Sequence, residues 1–177
     1  MTLDQIEILS DDDGAPRVSI QYSVFSNQLP IHQFTNNQFT LSISHSGNRA
    51  FCALVDKPGF PLGADIEKID ERTDEFVRDT FVREEIALVE AAPPSVKAGI
   101  ATAIWSAKES ALKAIRLGFT VEPFVIKCLP QGDGQKDWDP VSIEWDVQKL
   151  RRTAPALNGW WCEQDGFVMT IAAGGIG

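Results

Sequence analysis

The sequence of this 177-residue chain predicts a fold that combines β-strands with α-helices. Near the start, the apolar residues Phe39, Leu41 and Ile43 alternate with polar ones, which is the period of a half-buried strand. In the middle, apolar residues recur at helical intervals over residues 74–115, and the last third of the chain returns to strand-like runs. The chain is therefore expected to contain both kinds of element in separate stretches.

Three strands are expected between residues 39 and 66. The first covers residues 39–43 and brings Ser44 and His45 to its end. Apolar residues at 51–55 predict the second strand, and residues 64–66 predict the third, after a loop rich in proline and glycine. Strands that follow one another this closely favour a three-stranded antiparallel meander.

Helices are expected in the middle of the chain. From Asp74 the apolar spacing indicates one helix or two abutting helices, which Pro93 and Pro94 interrupt. Beyond these prolines a second helical run continues as far as Gly118, which is well placed to end it. Further strands are predicted at residues 121–128, 141–145 and 167–172.

The bulk composition is that of an ordinary globular protein. Hydrophobic residues make up 44% of the chain and charged residues 23%, so extensive disorder is not expected. A chain of 177 residues is expected to form a single domain over residues 1–177. It has no apolar run long enough to span a bilayer and no stretch like a secretory signal, so the expected location is the cytoplasm.

The net charge of the chain is −9, from 16 basic and 25 acidic residues. A field of this sign disfavours nucleic acid and anionic membranes as partners. A phosphorylated ligand would therefore need a local basic pocket. The basic residues lie mainly in the later part of the chain, because Arg17 is the only lysine or arginine before Arg49.

The three cysteines, Cys52, Cys128 and Cys162, form an odd set without the spacing of metal ligands. Together with a cytoplasmic location, this set favours reduced and mostly buried thiols. Neither a zinc site nor a disulfide framework is expected.

Two pairs of residues have a spacing that suits metal and phosphate chemistry. Asp65 and Glu67 are two residues apart in a predicted strand, so their carboxylates project to one face and can approach one hard cation. Glu109 and Lys113 are four apart on a predicted helix, which places an oxygen ligand and an ammonium on one face. Taken alone, a solvated strand face and a surface ion pair explain these pairs better.

A third candidate is the segment that contains Ser44 and His45. Hydroxyl groups, an imidazole and the permissive backbone of Gly47 follow one another there, and such a turn can hold a phosphate. Taken alone, a single histidine is more often a hydrogen-bonded structural residue, and adjacent serine and histidine are not a nucleophilic triad.

Three segments together resemble one family. They are residues 42–47 (Ser-Ile-Ser-His-Ser-Gly), 63–68 (Gly-Ala-Asp-Ile-Glu-Lys) and 105–113 (Trp-Ser-Ala-Lys-Glu-Ser-Ala-Leu-Lys). In this order they resemble the 4′-phosphopantetheinyl transferase superfamily, over residues 40–128. Phe81 and Glu85 fit the aromatic residue and the glutamate that the family has between the last two segments. Because the histidine segment precedes the acidic pair, the chain resembles the larger, surfactin-synthetase-activating type rather than the short trimeric synthases.

The resemblance implies an α+β fold of two α/β halves related by a pseudo-two-fold axis, with the site between them. The first half, residues 1–60, is expected to be abbreviated, and the second half to cover residues 61–177. The implied reaction is the Mg²⁺-dependent transfer of 4′-phosphopantetheine from coenzyme A to a serine of an apo acyl or peptidyl carrier protein, with release of 3′,5′-ADP. This is holo-[acyl-carrier-protein] synthase activity, and these residues do not distinguish carriers of fatty-acid, polyketide and peptide synthesis.

The resemblance also implies roles for individual residues. Asp65, Glu67 and Glu109 would bind Mg²⁺, which would bridge the coenzyme A pyrophosphate. Glu109, or a water or hydroxide near it, would accept the proton of the carrier serine, and Lys113 would supplement the metal. The expected coenzyme A contacts are Ser44, His45, Lys108 and Lys113.

The chain departs from the family pattern before the histidine segment, which is much longer in full-length relatives and contains lysines and arginines that grip coenzyme A. Here that region contains only Arg17. Either the site borrows cations from Arg49, Lys57 or a second chain, which leaves self-association open, or coenzyme A binds weakly. The alternative function is a non-catalytic carrier- or coenzyme A-binding subunit, and a more distant one is an unrelated magnesium-dependent hydrolase.

Overall fold

The computed structural model describes residues 2–10, 14–23, 39–135 and 137–175. The strands are β1 (Thr2–Ser10), β2 (Pro16–Ser23), β3 (Thr40–Ser46), β4 (Arg49–Val55), β5 (Leu62–Lys68), β6 (Ile126–Pro130), β7 (Asp139–Trp145), β8 (Leu157–Gln164) and β9 (Phe167–Gly174). The helices are α1 (Asp74–Thr80), α2 (Arg83–Ala91), α3 (Pro94–Ala114) and α4 (Val147–Leu150), with 3₁₀ turns at Gly118–Thr120 and Pro123–Val125.

The described strands form three antiparallel sheets. β1 pairs with β2 and β3 pairs with β4, so the described residues before β5 contain two hairpins. The third sheet has five strands in the order β5-β9-β8-β7-β6, with Asp65 of β5 opposite Thr170 of β9. Helices and antiparallel sheets are segregated along the chain, which is an α+β fold as expected.

The long helix α3 packs across the five-stranded sheet and provides much of the core. Its alanines Ala103, Ala107 and Ala111 are at most 1% exposed and let the sheet approach closely. The closest approach is at Gly63 of β5, where a Cβ atom would overlap the carbonyl oxygen of Ser110. The sequence Gly63-Ala-Asp is therefore held tightly against the middle of the helix.

Local signals explain where the helices begin and end. The Thr73 hydroxyl caps α1 by accepting the N–H of Phe76 at 3.1 Å. The run from residue 74 consists of two helices, which is one of the two expected alternatives. The next helix, α3, begins at Pro94, because proline has no N–H and the first turn of a helix does not need that donor. After α3, Arg116 has a positive φ of 55°, so the helix ends just before the predicted Gly118.

The predicted meander of three strands is wrong. β5 pairs with β9 instead of β4, and β3 meets β5 through hydroxyl side chains rather than through backbone pairing. Ser42 Oγ accepts the N–H of Ala64 at 2.8 Å and Ser46 Oγ accepts the N–H of Lys68 at 3.1 Å. The expected apolar face of β3 is also only partly buried, since Leu41 is 7% exposed and Ile43 is 37% exposed.

The remaining strand predictions need two changes. The run at 121–128 begins with irregular structure and the turn Pro123–Val125, and β6 starts only at Ile126. Strand β8 (Leu157–Gln164) was not expected, since its sequence Leu-Asn-Gly-Trp-Trp-Cys-Glu-Gln lacks a simple alternation. The strands predicted at 141–145 and 167–172 are confirmed as β7 and β9.

All three cysteines are free thiols, as expected, but only Cys128 is buried. Cys162 is half-buried and Cys52 is exposed, because Cys52 lies on the outer face of the β3–β4 hairpin opposite Ile43. The expectation of mostly buried thiols is therefore wrong for Cys52. Among the helices that the structure describes, none has the length and apolar character needed to cross a membrane.

Candidate active site

Asp65 lies at the centre of the candidate site and receives hydrogen bonds from two other elements. Its Oδ1 accepts the Ser44 hydroxyl of β3 at 2.7 Å and the Lys113 ammonium of α3 at 2.7 Å. Its Oδ2 accepts the hydroxyl of Ser106 at 2.8 Å, and Ser106 also lies 2.9 Å from the Thr170 hydroxyl. Asp65 is only 3% exposed, so these partners compensate a carboxylate that is removed from water.

Glu67 follows on the same face of β5 and is partly exposed. Its Oε2 lies 3.8 Å from the Arg72 guanidinium. Burial raises the pKa of Glu67, the negative charge of Asp65 raises it further, and Arg72 and a hydrogen bond from Trp105 offset part of this change. Glu67 is thus held beside Asp65 by positive and polar groups from outside the strand.

Glu109 is the most perturbed carboxylate of the site. Burial, then the negative charge of Asp65, raises its pKa to about 7, with a smaller contribution from Glu67 and a partial offset by Lys113. The side chain projects from α3, and the residue is 6% exposed. A carboxylate that is half protonated near neutral pH can accept a proton from a substrate or bind a cation that relieves the repulsion.

The three carboxylates have the donor chemistry of a hard-cation site, because all their ligand atoms are oxygens and their charges oppose one another. In the described ranges, no three His, Cys, Asp or Glu side chains are arranged so that together they could hold a metal ion. Asp65 instead shares its Oδ1 with Lys113, and its Oδ2, which accepts one hydrogen bond, has a further lone pair. The residues therefore fit Mg²⁺ in kind and charge.

Lys113 links this site to a cavity of about 590 Å³ between α3 and the two hairpins. Its ammonium also contacts the Ala64 carbonyl at 3.3 Å. Apolar walls from Leu41, Phe60 and Leu62 adjoin this cation. A cavity of about 640 Å³ lies between the first three helices, and Arg72 lines it. The former is the better candidate for a phosphorylated ligand, because it contains an ammonium that also contacts the carboxylate cluster.

The remaining predicted contacts are not brought to this cluster. His45 is exposed and lies on the face of β3 opposite to Ser44, since neighbouring strand residues alternate. Lys108 is fully buried on another side of α3, where its Nζ lies 2.9 Å from Glu85 Oε2. Burial raises the pKa of Glu85, and the Lys108 charge and hydrogen bonds offset part of that increase.

The two other cations suggested from the sequence are engaged elsewhere. Arg49 forms an ion pair of 3.2 Å with Asp165 and lies over the Phe167 ring at 5.3 Å. The Lys57 ammonium lies 5.0 Å from the centre of the Phe60 ring. Of these two, Lys57 is the closer to the cavity, since Phe60 is one of its walls. The side chain of Arg17 is outside the described part of the chain.

The model of the 4′-phosphopantetheinyl transferase superfamily matches residues 61–171. The chain belongs to this superfamily. The matched stretch runs from β5 into β9, so it contains Asp65, Glu67, Glu109 and Lys113. It begins after the β3–β4 hairpin that contributes Ser44.

Individual proteins were also compared with the chain. The crystal structure of Helicobacter pylori holo-[acyl-carrier-protein] synthase in complex with coenzyme A is 17% identical, over 63% of this chain and 97% of that chain, with a TM-score of 0.49. No curated protein sequence matches the chain. Membership of the superfamily therefore rests on the family model.

Sequence reasoning missed three polar residues of this superfamily member's site: Ser106, Thr170 and Arg72. Ser106 stands inside the Trp-Ser-Ala-Lys-Glu segment, so its position next to Asp65 could have been suspected from the helix face it shares with Lys113. Thr170 and Arg72 carry no such signal. They reach the site because β9 pairs with β5 and because the chain turns after β5 into α1.

Proposed function

We propose that this chain transfers 4′-phosphopantetheine from coenzyme A to a serine of an apo acyl or peptidyl carrier protein. The observation that carries the proposal is the Asp65–Glu67–Glu109 carboxylate cluster with Lys113 against it, in a chain of the transferase superfamily. Phosphoryl transfer needs neutralisation of charge and positioning of the two reactants more than it needs covalent catalysis. This cluster offers cation ligands, a candidate base and an ammonium within one site.

In the proposed reaction the carrier serine Oγ forms a bond to the phosphorus that bears the pantetheine arm. The bond from this phosphorus to the bridging oxygen breaks, and 3′,5′-ADP leaves with that oxygen. The serine proton goes to Glu109 or to a water or hydroxide beside it, which suits a carboxylate with a pKa of about 7. Lys113 donates to a phosphate oxygen from the wall of the cavity, where it also contacts Asp65.

Magnesium held by Asp65, Glu67 and Glu109 would supply charge neutralisation of the pyrophosphate and of the leaving group. The residues themselves do the positioning. Ser106 fixes Asp65 Oδ2 at 2.8 Å, while Ser44 and Lys113 fix Asp65 Oδ1. These contacts come from β3 and α3, so the acidic pair is oriented relative to both walls of the cavity.

The finer assignments belong to the same proposal. We place the chain with the surfactin-synthetase-activating type, in which residues 1–60 form an abbreviated first half and residues 61–177 the second half. The hydrogen bond from Ser44 to Asp65 supports this placement, because it joins the histidine segment to the acidic pair. We expect the reaction to take place in the cytoplasm, and a second copy to be one source of the cations that the first half lacks.

The test is the intact mass of a panel of apo carrier proteins after incubation with the protein, coenzyme A and Mg²⁺. We expect a gain of one phosphopantetheine unit, which a chelator and Glu109→Gln abolish. Glu90→Gln is the matched control, since it removes an exposed carboxylate of α2 outside the cluster. A folded protein that binds coenzyme A but modifies no carrier would instead be a binding subunit, and release of free phosphopantetheine would indicate a hydrolase.

A further inference from the structure

The buried ion pair between Glu85 and Lys108 joins three elements behind the candidate site. Both side chains are fully buried, and Lys108 Nζ lies 2.9 Å from Glu85 Oε2. The same ammonium donates to the carbonyl oxygens of Pro123 at 3.0 Å and Ile126 at 2.6 Å. An ammonium has three hydrogens, so these three acceptors use every donor of Lys108.

Glu85 is equally committed to this arrangement. Its Oε1 accepts the N–H of Cys128 in β6 at 2.7 Å, and its Oε2 accepts the N–H of Val82 at the start of α2 at 2.7 Å. The Phe81 ring, 2% exposed, covers the pair with its centre 6.0 Å from Lys108 Nζ. The carboxylate therefore connects α2 to β6 while it neutralises the lysine of α3.

This geometry joins the two parts of the sequence pattern that the proposed reaction leaves without a role. Phe81 and Glu85 come before α3 in the sequence, yet their side chains enclose Lys108 of the Trp-Ser-Ala-Lys-Glu segment. If Lys108 moved to a coenzyme A phosphate, the Glu85 charge would remain buried without its partner, which is strongly unfavourable. Lys108 is thus placed to hold the helix rather than the substrate.

The consequence for the site follows from helical geometry. Glu109 is one residue after Lys108, about 100° around the helix, and Lys113 is a further four residues on, close to one complete turn. Fixing Lys108 against α2 and β6 therefore fixes the rotation of α3 that directs Glu109 and Lys113 toward β5. A small rotation of the helix would move Lys113 Nζ away from Asp65 Oδ1, which is now at 2.7 Å.

We propose that Glu85 and Lys108 are positioning residues that set the rotation of α3 and thereby the placement of Glu109 and Lys113, and that Lys108 does not contact coenzyme A. This inference rests on the proposed function for its kinetic consequence. Its structural consequence, the position of Lys113 relative to Asp65, is independent of the reaction.

The experiment uses the double variant Glu85→Gln/Lys108→Met, which removes both buried charges while it keeps similar side-chain volumes. We expect a folded protein whose kcat for carrier modification falls about 100-fold, as misplacement of catalytic groups by about 1 Å can cause. We expect any rise in the KM for coenzyme A, caused by the displaced Lys113, to be much smaller than the fall in kcat. In a crystal structure of the variant, Lys113 Nζ should no longer lie within hydrogen-bonding distance of Asp65 Oδ1.

Two controls separate positioning from simple stabilisation. Thr102→Val exchanges another fully buried polar side chain of α3, whose hydroxyl has no hydrogen-bond partner among the described residues, and should leave kcat and KM unchanged. Glu85→Asp keeps both charges of the pair and only shortens the carboxylate side chain, so it is the milder variant if the double variant does not fold. Because Glu85 is fully buried, a lower kcat with unchanged KM in this variant cannot come from a lost substrate contact.

Other results would overturn the inference that Glu85 and Lys108 position α3. A raised KM for coenzyme A with unchanged kcat in the double variant would make Lys108 a phosphate contact and overturn the inference. Wild-type kinetics together with an unchanged Lys113–Asp65 contact would leave the pair a purely stabilising feature. If the wild-type protein modifies no carrier, the proposed function fails, while the crystal structure of the variant still decides whether the pair positions α3.

Discussion

Both carboxylate oxygens of Asp65 accept hydrogen bonds from other elements, and this explains why its environment tolerates a buried charge. Ser44, Ser106 and Lys113 provide the donors from β3 and α3. A buried carboxylate with fewer partners would be costly, so the hydroxyl groups are part of what holds the acidic strand in place. At the residue scale, the site therefore depends on serines as much as on its charged groups.

Removal of the Ser106 hydroxyl should lower the free energy of unfolding, although the side chain is small. Ser106→Ala leaves Asp65 Oδ2 and the Thr170 hydroxyl without their shared partner, so we expect a loss of about 1–3 kcal/mol in the free energy of unfolding. Urea denaturation measures this loss. Ser110→Ala is the matched control, because Ser110 is also buried in α3 but donates only to the Ala107 carbonyl of its own helix.

In that control we expect a loss of about 1 kcal/mol or less. Equal losses in the two variants would show that the contact to Asp65 contributes no more than a bond within the helix.

The raised pKa of Glu109 predicts a pH dependence of stability in the metal-free protein. The folded state keeps the proton up to about pH 7, whereas the unfolded chain releases it near the usual glutamate pKa of 4.5. The unfolded state then binds fewer protons between these values, so the free energy of unfolding should fall as the pH rises from 4.5 to 7.

Urea denaturation in chelator at a series of pH values tests this, with Glu109→Gln as the comparison. The variant lacks the titrating group, so its stability relative to the wild type should increase over the same pH interval. A constant difference across the interval would contradict the prediction.

At the scale of elements, the contact between β5 and α3 controls where the acidic pair stands. Gly63 allows the strand to lie directly against the helix backbone at Ser110. The alanine-rich face of α3 allows the same close approach along the sheet. Gly63 and the alanines of α3 therefore allow Asp65 and Glu67 of β5 to lie beside Glu109 and Lys113.

Gly63→Ala should disrupt this contact. The added Cβ would overlap the Ser110 carbonyl oxygen, which is backbone and cannot turn aside, so we expect a loss of at least about 3 kcal/mol or failure to fold. Thermal and urea denaturation measure the effect.

The control is Gly99→Ala, in the helix α3 that Gly63 of β5 contacts. Its Cβ would meet only the Glu163 side chain, at 3.1 Å, and alanine favours the helix by up to about 1 kcal/mol over glycine. Gly99→Ala should therefore be neutral or stabilising, and similar losses in both variants would show that backbone contact is not the cause.

At the scale of the whole molecule, the net charge of −9 opposes the approach of a negatively charged carrier protein. Salt screens this repulsion, with a Debye length of about 10 Å at 0.1 M. We therefore expect kcat/KM for an acidic carrier to rise as NaCl is increased at fixed Mg²⁺. Assays stopped at fixed times and read by mass spectrometry measure kcat/KM. A steady fall of kcat/KM with salt would instead indicate that a basic docking patch dominates the encounter.

The sequence predicted the elements better than it predicted their arrangement. The apolar residues from Ile100 to Ile115 recur at helical spacing, so the sequence predicted the helix that the structure has as α3. The pairing of β5 with β9 joins residues about 100 positions apart, and nothing in the local pattern of Asp65 indicates that Thr170 lies opposite. The meander was predicted because short connections usually join neighbouring strands, whereas β5 pairs with β9 and meets β3 through hydroxyl contacts.

The candidate site was predicted to a similar degree. The spacing of Asp65 with Glu67 and of Glu109 with Lys113 gave the right faces, and these four residues lie together. Lys108 was expected from the resemblance to contact coenzyme A. Its burial instead depends on Glu85, 23 positions earlier in the sequence, and on the carbonyl group of Ile126 in β6. Burial of a lysine among tertiary partners leaves no local signal in the sequence.

The hydroxyl face of β3 has a further consequence, for the solubility of the protein. β5 is an edge of the five-stranded sheet, and the free N–H groups of an edge strand invite pairing with another molecule. Ser42 and Ser46 accept the N–H groups of Ala64 and Lys68 without extending the sheet. The serines thus close an edge at which aggregation would otherwise begin, in the same strand whose Ser44 reaches Asp65.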